Sequence, residues 1–225
     1  MTLPEVVHAT AAELARERHA DAEEDVHFTR GLARTVIEAL SLPGDVVLDP
    51  FAGFGTTLEV ARELGRTPLG VELLPERVAT IRARVPGAVV VEGDARGLLG
   101  LVDACALPVA RGSVALVLTS PPWMTANDHL ANPLTAYETD DGDYRTYLDS
   151  LTDVARQVRA LLRPGGHLVL DVADIRHEGQ LTTLGADVTA AVSPVLRHIG
   201  SVPVVWDELP QDLTSNSLVV FSRAW

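Results

Sequence analysis

A chain of 225 residues, 47% of them hydrophobic, can bury one core of ordinary size and is expected to form a single domain over 1–225. Its formal charge of −13 and its sequence pI near 4.8 argue against a free-standing polyanion binder, since phosphate neutralisation by a basic face supplies most non-specific affinity for nucleic acid. Every basic residue is an arginine, so a local arginine cluster or a partner would have to supply any positive surface. One cysteine excludes an internal disulfide, no Cys/His cluster has metal-ligand spacing, and no apolar run reaches the roughly 18–20 residues of a bilayer span. A cytoplasmic protein without a metal is expected, with Cys105 as a small core residue.

In chain order, residues 1–42 predict two helices, AELARERHADAEEDV and then TRGLARTVIEAL, closed by SLPG before the α/β core of 43–225. The apolar runs 46–51, 68–73, 88–93, 114–120 and 167–174 have the continuous character of strands buried on both faces. Helical patterns lie between them over 56–65, 75–84 and 98–107, and over 144–163, where Tyr147, Leu151, Val154, Val158 and Leu161 mark one face. The segment 124–143 is one long irregular loop, of the length that is commonly functional. Arg163-Pro164-Gly165-Gly166 stops the preceding helix. Beyond Asp174 the pattern predicts a helix over 181–199 and two strands, 201–209 and 217–225, forming an antiparallel hairpin at one sheet edge. Alternation of strands and helices predicts a doubly wound, mainly parallel seven-stranded sheet. Trp206 and Trp225 fall in the hairpin as core or interface aromatics, which would suit a homodimer, and His129 and His167 read as structural.

The first strand runs into Asp49-Pro50-Phe51-Ala52-Gly53-Phe54-Gly55-Thr56-Thr57. Gly53 and Gly55 permit a tight turn and close approach of backbone to a ligand, and the following helix offers free N–H groups. A dinucleotide fingerprint would place its third glycine at position 58, which is leucine, and this lowers a nicotinamide interpretation. Acidic residues recur at the next strand ends, Glu72 and then Gly93-Asp94-Ala95. A carboxylate ending the second strand can accept both hydroxyls of a ribose, and Asp94 can accept from an adenine amine.

The stretch LDPFAGFGTTLEVARELGRTPLGVELLPE followed by TSPPW resembles the amino-methyltransferase branch of the S-adenosylmethionine (SAM) enzymes, especially DNA methyltransferases acting on exocyclic amines of cytosine or adenine. The resemblance covers residues from about 27 to 175 and implies a class I, Rossmann-like fold with SAM as cofactor. It implies that Asp49, Phe51, Ala52, Gly53, Gly55 and Thr56 hold the methionine part of SAM, Glu72 its ribose, and Asp94-Ala95 its adenine. His27-Phe28-Thr29 occupies the place of the motif that precedes the glycine loop, where Thr29 either reaches the SAM carboxylate or caps a helix.

An amine on an aromatic ring is a poor nucleophile because its lone pair is delocalised. Two acceptors beside it can hold its hydrogens out of the ring plane, and the Ser120 hydroxyl and Pro121 carbonyl are suited to this. The Pro121-Pro122 pair fixes φ and adds no competing donor, while Trp123 offers a face for stacking and for developing positive charge. The proton lost after methylation can pass to Ser120, to water or to a carboxylate of Glu138-Thr139-Asp140-Asp141. Positioning and electrostatics would carry the acceleration.

The acceptor is less determined. DNA methyltransferases of this type carry an added target-recognition region and extract the base from the duplex. Only the 124–143 loop could serve here, and its acidic end would repel phosphate. The expected activity is therefore N-methylation of a planar heterocyclic amine on a small molecule. The alternatives are a DNA methyltransferase, an RNA guanine methyltransferase and an inactive SAM-binding accessory protein, the last disfavoured by the intact Ser120–Trp123 motif.

Overall fold

The structure is a computed structural model, and it describes residues 2–20, 22, 28–127, 131–139, 142–210 and 212–224. Among the described residues nine strands form one sheet: β1 (Val7–Ala9), β2 (Val46–Asp49), β3 (Thr67–Glu72), β4 (Val89–Glu92), β5 (Val114–Thr119), β6 (Leu162–His177), β7 (Gln180–Thr182), β8 (Arg197–Trp206) and β9 (Leu213–Ser222). Their spatial order is β1-β8-β9-β6-β5-β2-β3-β4, with β7 paired to the overhang of β6. β9 runs antiparallel between β6 and β8, so seven strands, β4 through β8 in that order, make the expected sheet with its terminal hairpin.

Helices cover both faces. On one side lie α2 (Arg30–Leu40) and α3 (Thr56–Glu63), and on the other α5 (Leu98–Asp103), α6 (Tyr144–Leu161) and α7 (Leu184–Val192). α4 (Pro75–Arg84) packs a smaller cluster of its own around Ile81 and Val78. The β5 run VALVLT shows why the strands lack polar alternation. All six residues are buried, Leu116 and Leu118 against α2 and Val117 against α6. Each such aliphatic side chain contributes roughly 1.5–3 kcal/mol on burial. The α6 face marked by Tyr147, Leu151, Val154, Val158 and Leu161 is buried throughout.

Several boundaries differ from the sequence-based expectation. The N-terminal region is a strand and a short helix, α1 (Ala11–Glu17), rather than one long helix, and residues 23–27 lie outside the described residues. β1 is only three residues long, too short to leave a periodic signal, and exists because Val7 to Ala9 pair with Val204 to Trp206. It covers the outer side of β8, so the hairpin is not the sheet edge. The helix expected over 181–199 is confined to Leu184–Val192, because β6 extends to His177 and turns through Glu178-Gly179 into β7, while Pro194, lacking an N–H, ends the helix. β8 and β9 accordingly begin four residues before the expected strands. Cys105 is exposed at φ 58° in the turn after α5, which itself stops at Asp103. Trp206 is half-buried in β8, and Trp225 lies outside the described residues.

Chain order reverses between β2 and β5: the chain moves outward from β2 to β4 and returns beside β2 as β5. Loops leaving the carboxyl ends of these two neighbours must diverge, which opens a crevice at the switch point. The glycine loop and the Ser-Pro-Pro-Trp segment are those two loops.

Candidate active site

The loop after β2 is shaped by Gly53 at φ +53° and Gly55 at φ +87°, conformations in which a Cβ is strained. A Cβ on Gly55 would also sit 3.0 Å from Ile81 Cγ1. Inside the loop, Gly55 N donates to the Ala52 carbonyl at 2.7 Å, and Ala52 N donates to the Val71 carbonyl at 2.9 Å. Glu72 fastens the loop to β3: its Oε2 accepts from Gly53 N at 2.7 Å and its Oε1 from Leu74 N at 3.0 Å. Burial raises the Glu72 pKa, and those backbone donors together with Arg77 oppose the rise. Each oxygen keeps a further lone pair for a ligand hydroxyl.

Leucine at position 58 does not hold α3 away from the sheet, because the glycine lies on the other element. A Cβ on Gly70 of β3 would be 2.8 Å from Leu58 Cδ2 and 3.1 Å from Ala52 Cβ. Gly70 thus supplies from the strand side the close helix–strand approach that a third loop glycine supplies in dinucleotide sites.

Asp49, 2% exposed, accepts from Thr119 Oγ1 at 2.6 Å and from Phe51 N at 3.1 Å. Burial pushes its carboxyl up to about 6, against the pull of these donors. The Thr57 hydroxyl lies beside the same carboxylate, buried, and meets no partner at hydrogen-bond geometry. An unengaged hydroxyl and a costly buried charge, both lining the cleft, are what a polar ligand with a cationic group would satisfy.

The cleft has a volume of about 350 Å³, in the range of sites for nucleoside-sized ligands. Asp49, Phe51, Ala52, Gly53, Thr56, Glu72, Asp94, Ala95 and the wall Ser120–Trp123 all line it. Two expected residues do not. Gly55 shapes the turn from below, and Thr29, 1% exposed, caps α2 by accepting from Leu32 N at 3.2 Å. Asp94 reaches the cleft with both oxygens engaged by Arg96, through its backbone N–H at 2.8 Å and its guanidinium at 2.6 to 3.1 Å. His27, His129, Asp140 and Asp141 lie outside the described residues, and Glu138 does not line the cleft. His167 pairs with Leu116 below the strand ends, its pKa lowered by burial.

Several lining residues carried no motif. Phe54 stacks on His19, with ring centroids 4.6 Å apart, and lies 4.9 Å beneath the Arg77 guanidinium, forming one rim. Glu17, Ala22 and Phe28 bring the N-terminal segment onto the same rim. The opposite rim comes from the long loop, where a 3-10 turn at Pro133–Thr135 is followed by Ala136 and Tyr137 at φ 53° and 64°. Two successive non-glycine residues in the left-handed region are costly and place Leu134 and Tyr137 over the cleft.

The wall itself is pinned from α6. Tyr147 OH donates to the Pro122 carbonyl at 2.8 Å, and burial raises the Tyr147 pKa so that it stays a donor. Among the described residues, no hydrogen bond occupies the Ser120 hydroxyl or the Pro121 carbonyl, which leaves both acceptors free for a ligand. Thr182 of β7 anchors the chain beyond the wall, its hydroxyl accepting from Ala126 N at 2.9 Å.

Residues 11–83 match a family model described as DNA methylase. The type II methyltransferase M.SmaI of Serratia marcescens is 45% identical over 58 residues, 26% of this chain and 20% of that protein. M.BglII of Bacillus subtilis is 38% identical over 64 residues, 27% of this chain and 18% of that protein. The matched region thus spans about a fifth of the length of these relatives. Among solved structures, the 1,6-didemethyltoxoflavin-N1-methyltransferase of Burkholderia thailandensis aligns at TM-score 0.54 and 18% identity over 87% of this chain and 78% of that one. The geranyl diphosphate C-methyltransferase of Streptomyces coelicolor aligns at TM-score 0.57 and 14% identity over 95% and 86%. The chain has the fold of the class I SAM-dependent methyltransferases and, through its glycine-loop region, resembles the DNA N-methyltransferases.

Proposed function

We propose that the protein is a SAM-dependent N-methyltransferase acting on the amino nitrogen of a planar heterocycle. The observation that carries this is the meeting, in one cleft, of the glycine loop, Glu72 and the Ser120–Trp123 wall. SAM, when bound, would supply an electrophilic sulfonium methyl for transfer to the acceptor nitrogen. Glu72 receives the ribose hydroxyls on its remaining lone pairs, and the glycine loop and Thr57 receive the methionine end, with Asp49 favouring its positive charge. Asp94 and Ala95 line the part of the cleft that would border the adenine. Ser120 Oγ and Pro121 O accept from the amine hydrogens and turn its lone pair out of the ring, while Trp123 stacks on the ring.

We assign the acceptor to small molecules. The DNA methylase match ends at residue 83, so it covers the glycine loop and Glu72 and stops short of Asp94, Ala95 and the acceptor wall at 120–123. Beside that wall the rim is one loop, 124–143, with no added recognition domain among the described residues, in a chain of net charge −13. The same match favours DNA as a second interpretation, with a separate subunit supplying specificity. Incubation with labelled SAM and, separately, duplex DNA, RNA, free adenine and cytosine, and a pool of cell metabolites distinguishes them. Label in the metabolite pool or free bases alone supports the small-molecule assignment, and label in DNA alone overturns it. A melting temperature unmoved by SAM would remove the SAM-dependent function.

A further inference from the structure

A second, smaller cavity lies on the far side of the Ser-Pro-Pro-Trp wall. Ser120, Pro121 and Trp123 line both it and the large cleft, so the wall is a partition. The small cavity offers about 30 Å³, too little for an aromatic ring and enough for one water. Its surfaces are largely apolar, from Val172, Ile175, Leu184 and Leu213, with the Asp171 carboxylate among them.

Asp171 stands beside Ser120 by sheet register. Thr119, the last residue of β5, pairs with Leu170 of β6 in parallel, the strands lying about 4.8 Å apart, so Ser120 leaves β5 next to Asp171 of β6, and both line the small cavity. Asp171 Oδ1 accepts from Asn216 Nδ2 at 2.8 Å, and Asn216 Oδ1 accepts from Trp206 Nε1 at 2.9 Å. The indole can only donate, which fixes the orientation of the Asn216 amide and keeps its NH₂ on Asp171. Among the described residues, Asp171 Oδ2 has no partner. The elements packed around Asp171 present Ser120 just past β5, Asn216 and Leu213 from β9, Trp206 from β8 and Leu184 from α7, none of them charged. Asp174, further along β6, is engaged by Gly185 N and the Ser215 hydroxyl, and Asp187 of α7 by Tyr144 OH.

We propose that this chamber is the proton exit of the active site, holding one water between the Ser120 hydroxyl and the Asp171 carboxylate, with Asp171 as the terminal acceptor of the proton released on N-methylation. The proposal rests on the methyl transfer inferred above. Once the N–C bond has formed, nitrogen carries a positive charge. Its N–H bond breaks with the electron pair returning to nitrogen, the proton passes to Ser120 Oγ as the Ser120 hydroxyl gives its own proton to the water, and the water gives up a proton to Asp171. The balance is a neutral methylated amine and a neutral carboxylic acid, which then equilibrates with solvent. Burial pushes the Asp171 carboxyl up to about 6, so it is ionised at neutral pH and more basic than an exposed carboxylate.

The test uses the full chain, saturating SAM and whichever acceptor takes label in the assay above. kcat should rise with pH through about 6 to a plateau. Asp171→Asn, which keeps an acceptor for Asn216, should lower the plateau roughly 10²-fold and abolish that rise, with sinefungin affinity unchanged. Asn216→Leu removes the hydrogen bond donated to Asp171 and should move the midpoint upward. An Asp171→Asn variant with wild-type kcat and pH profile overturns the proposal while leaving the methyltransferase function intact. Failure of SAM binding by the wild type removes that function instead, and this proposal with it. A crystal structure with sinefungin tests the water without any acceptor: one water within about 3.2 Å of both Ser120 Oγ and Asp171 is expected, and a dry chamber overturns the proposal.

Discussion

Asp49→Asn should stabilise the protein and weaken its hold on a cationic cofactor, both in a pH-dependent way. The carboxyl titrates at about 6 in the folded state against 3.8 for the free group. For an acid whose pKa rises on folding, the folded state binds more protons between those values, so stability falls as pH rises through the window and the full cost is present above about 6. Roughly two pKa units correspond to ~3 kcal/mol at pH 8, and integration leaves about 1 kcal/mol at pH 4.5. Asparagine removes the charge and keeps Oδ1 for Thr119 and Phe51, while its NH₂ can donate to the idle Thr57 hydroxyl. Urea unfolding at the two pH values should therefore show gains of about those sizes, with unchanged m-values. Sinefungin titration should show an affinity for the wild type that improves as pH rises through about 6, and a flat, weaker affinity for the variant. Equal stability of the two proteins at pH 8, or a gain that is larger at pH 4.5, would refute the burial argument.

Three further outcomes follow from packing and hydrogen bonding. Gly70→Ala should cost roughly 1–3 kcal/mol by chemical denaturation, because its Cβ would press on Leu58 Cδ2 at 2.8 Å, and adding Leu58→Ala should make the second change cost less than it does alone. Tyr147→Phe should cost about 1 kcal/mol of stability and lower kcat with no change in sinefungin affinity, since it frees only the Pro122 carbonyl; an unchanged kcat would show that the wall needs no pin. Glu72→Gln should abolish most of the SAM-induced rise in melting temperature, because one amide oxygen cannot accept from both Gly53 N and Leu74 N and still serve a ribose; a full shift would remove Glu72 from the site.

The sheet was legible because its central strands are buried on both faces. Runs such as VALVLT have no competing interpretation once their glycine-rich ends are seen, and the donor residues sit at those ends. What was illegible depended on partners distant in sequence. Val7 to Ala9 became a strand only through Val204 to Trp206, and Cys105 looked like core until the turn placed it at positive φ in solvent. Thr29 matched a motif position loosely and proved to be committed to the α2 amides. Leu58 argued against close helix packing because Gly70, twelve residues on, could not be associated with it from spacing alone. Asp171 read as an ordinary strand residue, and only the β5–β6 register sets it beside Ser120.

Residues 7–17 connect regions that the sheet keeps apart. β1 is bonded along β8, Asp207 accepts from Ala11 N at 2.8 Å just beyond, and the chain then crosses to the cleft, where Glu17 lines the rim and accepts from Arg30 N at 2.7 Å. Trp206, the last residue paired to β1, is also the indole that orients Asn216. This segment is tied to β8 at one end by backbone pairing and borders the cleft at the other. Occupancy of the cleft should slow amide hydrogen exchange in β1 and in the facing end of β8, and an N-terminal truncation would loosen both cavities at once.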